Sequence, residues 1–245
     1  MIIVFQHSDS GSAQRLGATL RDHGLDLECC RPDHPVSRTN RGVPVDFDGV
    51  RGIVILGGPQ NVTDMDKHEW MRREAEYVKA AHAMELPVIG ICLGAQLIAQ
   101  ALGGSVGYRA APALGMEALR LNPTGQTETI FSGIQWNGPQ FFSCEQEVQK
   151  LPAGAVVLGS TASTPNAAFR VGPRTYAFQF HPECDEGMLQ RLAENSASMG
   201  AKGGVSVDAV LRQIHEQYQT YARLSNRLCL NIASFCFPLS RRRTA

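Results

Sequence analysis

The chain carries no net charge: its 245 residues hold 23 Lys and Arg against 23 Asp and Glu. That balance excludes recognition of nucleic acid or of a membrane surface by bulk charge. The basic run Arg241-Arg242-Arg243 stands alone at the C-terminal end and reads as a solvated tail. None of the seven cysteines forms a Cys-x-x-Cys pair. An odd count in a chain this long is no disulfide framework, so a reducing, cytoplasmic compartment is expected. No apolar run is long enough for a bilayer; the longest, residues 228–239, is broken by Asn231, Ser234 and Pro238. The apolar start, Met1-Ile2-Ile3-Val4-Phe5-Gln6, lacks the basic flank of a signal peptide and reads as a first strand. There is no Gly-x-x-x-x-Gly-Lys-Ser/Thr phosphate loop and no His/Cys spacing of a metal site. Neither cofactor nor metal is expected. Internal repeats and low-complexity linkers are also missing, and the length suits one large domain or two small ones.

What is present centres on residues 87–104. Val88-Ile89-Gly90-Ile91 is an apolar run bounded by Pro87, as in a buried parallel strand. Leu97, Ile98, Ala101 and Leu102 recur at helical spacing, and Gly103-Gly104 ends that helix. Between them lies Gly90-Ile91-Cys92-Leu93-Gly94, a nucleophile elbow with sulfur in place of hydroxyl. The glycines permit a turn too tight for side chains, and the next helix begins at once. Cys92 then sits at the positive end of a helix dipole, which favours thiolate.

An elbow needs a base. Tyr176-Ala177-Phe178-Gln179-Phe180 is a second apolar run, and it ends on His181-Pro182-Glu183. Cysteine, histidine and an orienting carboxylate make a nucleophilic triad. A third run, residues 53–56, leads into Gly57-Gly58-Pro59, either a plain turn or a loop whose amides bind an oxyanion.

The remaining pattern alternates strands and helices. Residues 2–6, 25–30 and 53–56 read as strands. Ser10 and Ser12 are candidate caps for a helix through Arg21 that Gly24 ends. Residues 31–48 form a loop rich in Pro, Arg and Gly. Residues 67–84 form an amphipathic helix with Trp70, Ala75, Val78 and Ala81 inward. Alternation implies crossovers and a parallel sheet, whose ligands bind at the carboxyl edge. Gly57, Cys92 and His181 all follow strands, so all three reach that edge. After residue 105 the runs shorten (117–121, 141–144, 156–160, 167–171), as for shorter antiparallel strands. Residues 185–197 read as a helix, and 201–204 as a flexible joint.

Gly-Ile-Cys-Leu-Gly-Ala-Gln with Gln-Phe-His-Pro-Glu resembles the class I (triad) glutamine amidotransferases, the glutaminase domains related to that of GMP synthase. Residues 53–62 resemble the family's strand and Gly-Gly-Pro loop. The resemblance covers about residues 1–198. It implies an α/β, three-layer, flavodoxin-like fold: a mostly parallel sheet with helices on both faces and smaller antiparallel strands. Residues 1–200 would be the amidotransferase domain and 201–245 a C-terminal helical extension. It implies Cys92, His181 and Glu183 as catalytic residues, with Gly58 and Leu93 N–H as oxyanion donors. Gly57, Gln96, Asn137 and Gly138 would contact substrate, and Asn61 would stabilise the glycine loop. One departure is visible. Relatives carry a Trp-His-Gly-Asp-like segment before a Leu-Pro, and it helps bind the glutamine main chain. Here Trp136-Asn137-Gly138-Pro139 takes that place, with an insertion before Leu151-Pro152.

Three functions follow. The chain hydrolyses glutamine and passes ammonia to an acceptor on a separate synthetase. Or the same triad acts on another γ-glutamyl substrate, as a hydrolase or peptidase. Or the chain is a non-catalytic regulatory subunit, against which the aligned triad counts. The C-terminal extension adds one expectation. Val207, Val210, Leu211, Ile214, Tyr218, Tyr221, Leu224 and Leu228 lie on one helical stripe after Ser206 as N-cap. Beyond Leu228 the apolar residues surround the helix, so its end is expected to be covered. It packs on its own domain, or docks on a second copy or on an acceptor protein.

Overall fold

A computed structural model describes residues 1–9 and 11–238. In chain order the elements are β1 (Ile2–Phe5), α1 (Gln14–Asp22), β2 (Leu27–Cys30), β3 (Gly52–Ile55), α2 (Glu69–Ala83), β4 (Val88–Ile91), α3 (Leu93–Ala101), β5 (Ser105–Leu121), α4 (Pro123–Thr127), β6 (Asn137–Lys150), β7 (Ala155–Ser160), β8 (Ala168–Val171), β9 (Thr175–Phe178), α5 (Glu186–Asn195), α6 (Ala197–Lys202) and α7 (Val207–Asn231). Among the described residues the strands join one sheet in the order β2-β1-β3-β4-β9-β8-β7-β5-β6. The first five are parallel. From β9 onward every pairing is antiparallel. The sheet is therefore mixed, and the antiparallel half continues the parallel one.

Four of the parallel strands, β1, β3, β4 and β9, are buried along their whole length because both faces are covered. Ile2 and Val4 pack with Leu16 and Leu20 of α1 and Leu224 and Leu228 of α7. Ile3 and Phe5 point the other way, toward Met71, Ala75 and Val78 of α2 and Leu97 and Ile98 of α3. Successive side chains of a strand face opposite sides, so each short strand feeds two cores. Ala75, Val78 and Ala81 are buried as expected, whereas Trp70 is half-buried. Helix α2 starts two residues later than the expected 67, at Glu69, and Lys67 instead ends a separate 3₁₀ turn, Val62–Lys67.

Two local expectations are corrected. Ser12 does not cap α1: Ala13 holds the N-cap position, and Ser12 Oγ accepts a bond from Gln14 Nε2 at 3.0 Å. Ser10 lies outside the described residues, as does Arg241-Arg242-Arg243. Of the strands after residue 105, β7 and β8 are short as expected, whereas β5 and β6 are long, with 17 and 14 residues. Pro112 falls in a break of register between Tyr108 and Ala113, and Pro139 lies on β6 at the end of the strand order. At a bulge or on an edge a proline costs no ladder bond, so these strands run through residues that otherwise punctuate them.

Ser206 caps α7, accepting from Ala209 N–H at 3.3 Å. Val210, Ile214 and Tyr221 pack with Leu114, Phe141, Met188 and Leu189. Leu228, Cys229, Ile232, Cys236 and Phe237 pack with Phe178 and Phe180, so residues 228–237 share the core of the sheet. Leu230 and Phe235 face outward. Among the described residues no helix is long and apolar enough to cross a membrane.

Candidate active site

Sterics build the elbow. A Cβ on Gly90 would lie 2.5 Å from Ile98 Cδ1 and 2.6 Å from Gly94 O, and one on Gly94 only 2.2 Å from Ile55 O. Only glycine at both places lets α3 fold back this closely on β4 and β3. Cys92 between them takes φ +52° and ψ −105°. A non-glycine residue held there costs about 1–3 kcal/mol. Its own N–H still donates to Phe178 O at 2.8 Å, anchoring the turn to β9. No side chain caps α3. The amides of the first turn, beginning with Leu93, have no partner inside the helix and leave a positive end beside the sulfur.

His181 and Glu183 follow β9 and meet this turn. His181 Nδ1 lies 2.8 Å from Glu183 Oε1, and both side chains are buried. Burial acts to lower the His181 pKa. The Glu183 carboxylate and then the Cys92 sulfur outweigh it and carry the imidazole well above its ordinary value. With Nδ1 bound to the carboxylate, Nε2 is the nitrogen left for Cys92. Asp185 then caps α5 through Met188 N–H at 2.7 Å, which ends the turn. Cys184 Sγ stands 3.6 Å from Glu183 Oε1. The donor atoms of His181, Glu183 and Cys184 gather within 4.8 Å of one another, a cluster that motif spacing did not show. The first two are bonded as a histidine–carboxylate pair, and burial pushes the Cys184 thiol up to about 12. A thiol that keeps its proton is a poor metal ligand.

A cavity of about 520 Å³ opens over these groups, and Gly57, Gly58, Cys92, Leu93, Gln96, His181 and Glu183 all line it. Gly57 borders both side chains: a Cβ there would lie 2.8 Å from His181 Cε1 and 3.5 Å from Cys92 Cβ. Gln96 is buried in the wall and donates from Nε2 to Gln146 O at 2.8 Å. Asn61 also lines the cavity but makes no side-chain cap bond to the 3₁₀ turn it precedes.

Asn137 and Gly138 are not brought to this cavity. They begin β6, paired with Arg120 and Leu119. Asn137 is exposed, and Gly138 is pressed on α7, where a Cβ would lie 2.4 Å from Leu224 Cδ1. The same strand reaches the cavity later, through Ser143, Cys144, Glu145 and Gln146. That is roughly 20 Å farther along at about 3.3 Å per residue. Ser143–Gln146, and not Trp136–Pro139, thus lines the cavity. Trp136 is 62% exposed and lies outside the cavity lining.

The far wall was also missed. It comes from α5, α6 and the turn between them, including Met188, Asn195, Ser196 and Lys202. Ser143 and Ser196 hydroxyls bond at 2.9 Å, and Lys202 Nζ pairs with Glu145 Oε1 at 2.9 Å. No motif marks such residues, which meet only through the fold.

Three similarities accompany this geometry. Residues 7–197 match the family model described as glutamine amidotransferase class-I. A GMP synthase (glutamine-hydrolyzing) of Porphyromonas gingivalis is 34% identical over 142 residues, which cover 58% of this chain and 26% of that protein. The chain therefore spans about a quarter of that relative's length. The fold is similar to that of a glutamine amidotransferase crystal structure from Thermotoga maritima, with TM-score 0.79 and 18% identity over 95% of this chain and 97% of the other. It is similar also to a glutamine amidotransferase from Methylobacillus flagellatus, with TM-score 0.78 and 21% identity over 94% and 92%.

Proposed function

The chain belongs to the class-I glutamine amidotransferases, and on that premise we propose that the cavity at Cys92 hydrolyses the side-chain amide of glutamine. The observation that carries this reading is the His181–Glu183 pair at 2.8 Å, set against an elbow cysteine in one cavity.

Cys92 thiolate attacks the amide carbon while His181 holds the proton. Gly58 N–H and Leu93 N–H receive the developing oxyanion. His181 gives its proton to the departing nitrogen, and ammonia leaves a γ-glutamyl thioester. Water, activated by the now neutral imidazole, attacks the thioester and releases glutamate. Glu183 orients the ring throughout. Gly57 and Gln96 contact the substrate, and Ser143–Gln146 replaces Asn137 and Gly138 in holding its main chain. Glu145 and Lys202 offer one charge of each sign, as the ammonium and carboxylate of a free amino acid require. Ammonia passes to an acceptor site on a synthetase; in support, a relative matched over part of its length is a glutamine-hydrolyzing GMP synthase.

One observation favours a second reading, a γ-glutamyl hydrolase with a larger substrate. The cavity, about 520 Å³, lies within the range of sites for drug-sized ligands, roughly 300–1,000 Å³. Glutamate and ammonia release from glutamine and from γ-glutamyl amides separates the two. Cys92→Ala is expected to abolish release and leave the fold intact. Turnover near wild type in that variant would refute the assignment.

A further inference from the structure

The turn that carries His181 and Glu183 does not hold its own shape. Among the described residues no main-chain bond closes residues 181–184 on themselves, and His181 N–H reaches out to Phe141 O at 2.9 Å. The carbonyls of all four residues face donors on α1 and α7 instead. The Cys229 thiol lies 3.7 Å from Pro182 O. Tyr221 Oη lies 2.5 Å from His181 O and 3.2 Å from Cys184 O. One hydroxyl proton cannot fully serve two carbonyls. Arg15 supplies what is missing. Its N–H donates to Glu183 O at 2.9 Å, and its Nη2 donates to Cys184 O at 3.1 Å.

The guanidinium is held as firmly as it holds. Nη1 donates to Asn226 Oδ1, and Nη2 lies 3.4 Å from Tyr218 Oη. Its central carbon stands 5.9 Å over the Tyr221 ring, a cation–π distance. Every side-chain bond that Arg15 forms among the described residues goes to a neutral acceptor. This arginine therefore serves as a planar fork between two helices and a turn, a task that a lysine ammonium does not share.

We propose that Arg15 is a positioning residue for the triad, pinning Glu183 O and Cys184 O so that the Glu183 carboxylate stays aimed at His181 Nδ1. The proposal rests on the reading above of His181 as the base and Glu183 as its orienter. Peptide units are planar, so fixing two successive carbonyl oxygens fixes two successive planes. The direction in which the Glu183 side chain leaves the main chain is fixed with them. The His181–Glu183 bond at 2.8 Å depends on that direction.

Arg15 can also be reached from outside. With Tyr218 and Asp185 it lines a second cavity, of about 590 Å³. That opening makes chemical rescue the test. Arg15→Ala removes the fork and keeps the main-chain N–H. Its kcat for the γ-glutamyl amide is expected to fall about 10- to 100-fold with KM nearly unchanged, at a temperature where circular dichroism shows a folded protein. Ethylguanidinium should restore part of kcat saturably. Ethylammonium, which brings the charge without the fork, should not, and Arg15→Lys should stay nearer to the alanine variant than to wild type. A folded alanine or lysine variant with wild-type kcat would overturn the proposal. Equal rescue by the two cations, or by neither, would overturn it too. Failure of both variants to fold would make Arg15 an element of the fold alone and would equally end the idea. Failure of the hydrolytic reading looks different: the unmodified protein itself would release no glutamate from any γ-glutamyl amide.

Discussion

The Tyr221 hydroxyl, on the C-terminal helix, donates to the carbonyl oxygen of His181 at 2.5 Å and lies 3.2 Å from that of Cys184. The ring is fully buried, and burial drives the phenol well above its ordinary pKa, so it keeps its proton. One side chain of α7 thus clamps both ends of the His-Pro-Glu turn. Tyr221→Phe leaves two buried carbonyls without this donor. The expected loss of stability is about 1–3 kcal/mol by urea unfolding. kcat should fall several-fold as the imidazole loosens. A variant as stable and as active as wild type would show that the clamp is incidental.

Gly57→Ala places a methyl 2.8 Å from His181 Cε1. The ring must shift, and a displacement near 1 Å can cost about 100-fold in rate. Loss of kcat of this order with an unchanged unfolding midpoint is expected; steady-state kinetics with urea titration decides it.

Glu183→Gln is expected to move the basic limb of the kcat/KM profile to lower pH. Burial lowers the His181 pKa, and Glu183 is the largest influence raising it. Without the charge the imidazolium gives up its proton earlier. Stability should follow the same sign. A histidine whose pKa is raised in the folded protein stabilises it fully below its unfolded value, near 6.5, and loses that contribution as pH rises through the higher native value. The wild type should therefore lose His181-linked stability above neutral pH, and the variant should lose less. Unfolding curves of equal pH dependence would contradict the arrangement.

A glutamine-like diazoketone is expected to label Cys92 alone. Burial pushes the Cys30, Cys184 and Cys236 thiols up to about 12. It raises Cys144 and Cys229 further. Cys29 is exposed, yet burial of its sulfur still raises it, and it lies outside the cavity. Peptide mass mapping with equal labelling at Cys29, Cys144 or Cys229 would sink this.

Deleting the chain from Ser225 onward removes Leu228, Cys229, Ile232, Cys236 and Phe237 from the core and uncovers Phe178 and Phe180. At about 1.5–3 kcal/mol per large apolar side chain, the loss rivals the whole stability of a domain, about 5–15 kcal/mol. The shortened protein should aggregate and unfold without cooperativity. A soluble product of unchanged oligomeric mass by light scattering, with full glutaminase rate, would show that this end is dispensable.

Some of this was written locally. The elbow is five residues, Gly90 to Gly94, and its two glycines are required by clashes within a strand–turn–helix unit and its neighbouring strand. His181 and Glu183 are two apart, so their bond needs only the proline turn between them. Ser206 caps α7 across three residues. Even the meeting of Gly57, Cys92 and His181 follows from strand order, because loops at the carboxyl edge of parallel strands converge. Other relationships had no local sign. His7 finds Glu74 across 67 residues, and Tyr221 finds His181 across 40. Asn137 and Gly138 are expected at the substrate because Trp136–Pro139 resembles the family's Trp-His-Gly-Asp segment. Only the length of β6, continuous past Pro139, decided which part of that strand reaches the cavity. A short motif carries its geometry in the covalent chain. A contact between distant residues exists only when packing closes the loop between them, and no residue in the loop records where that closure falls.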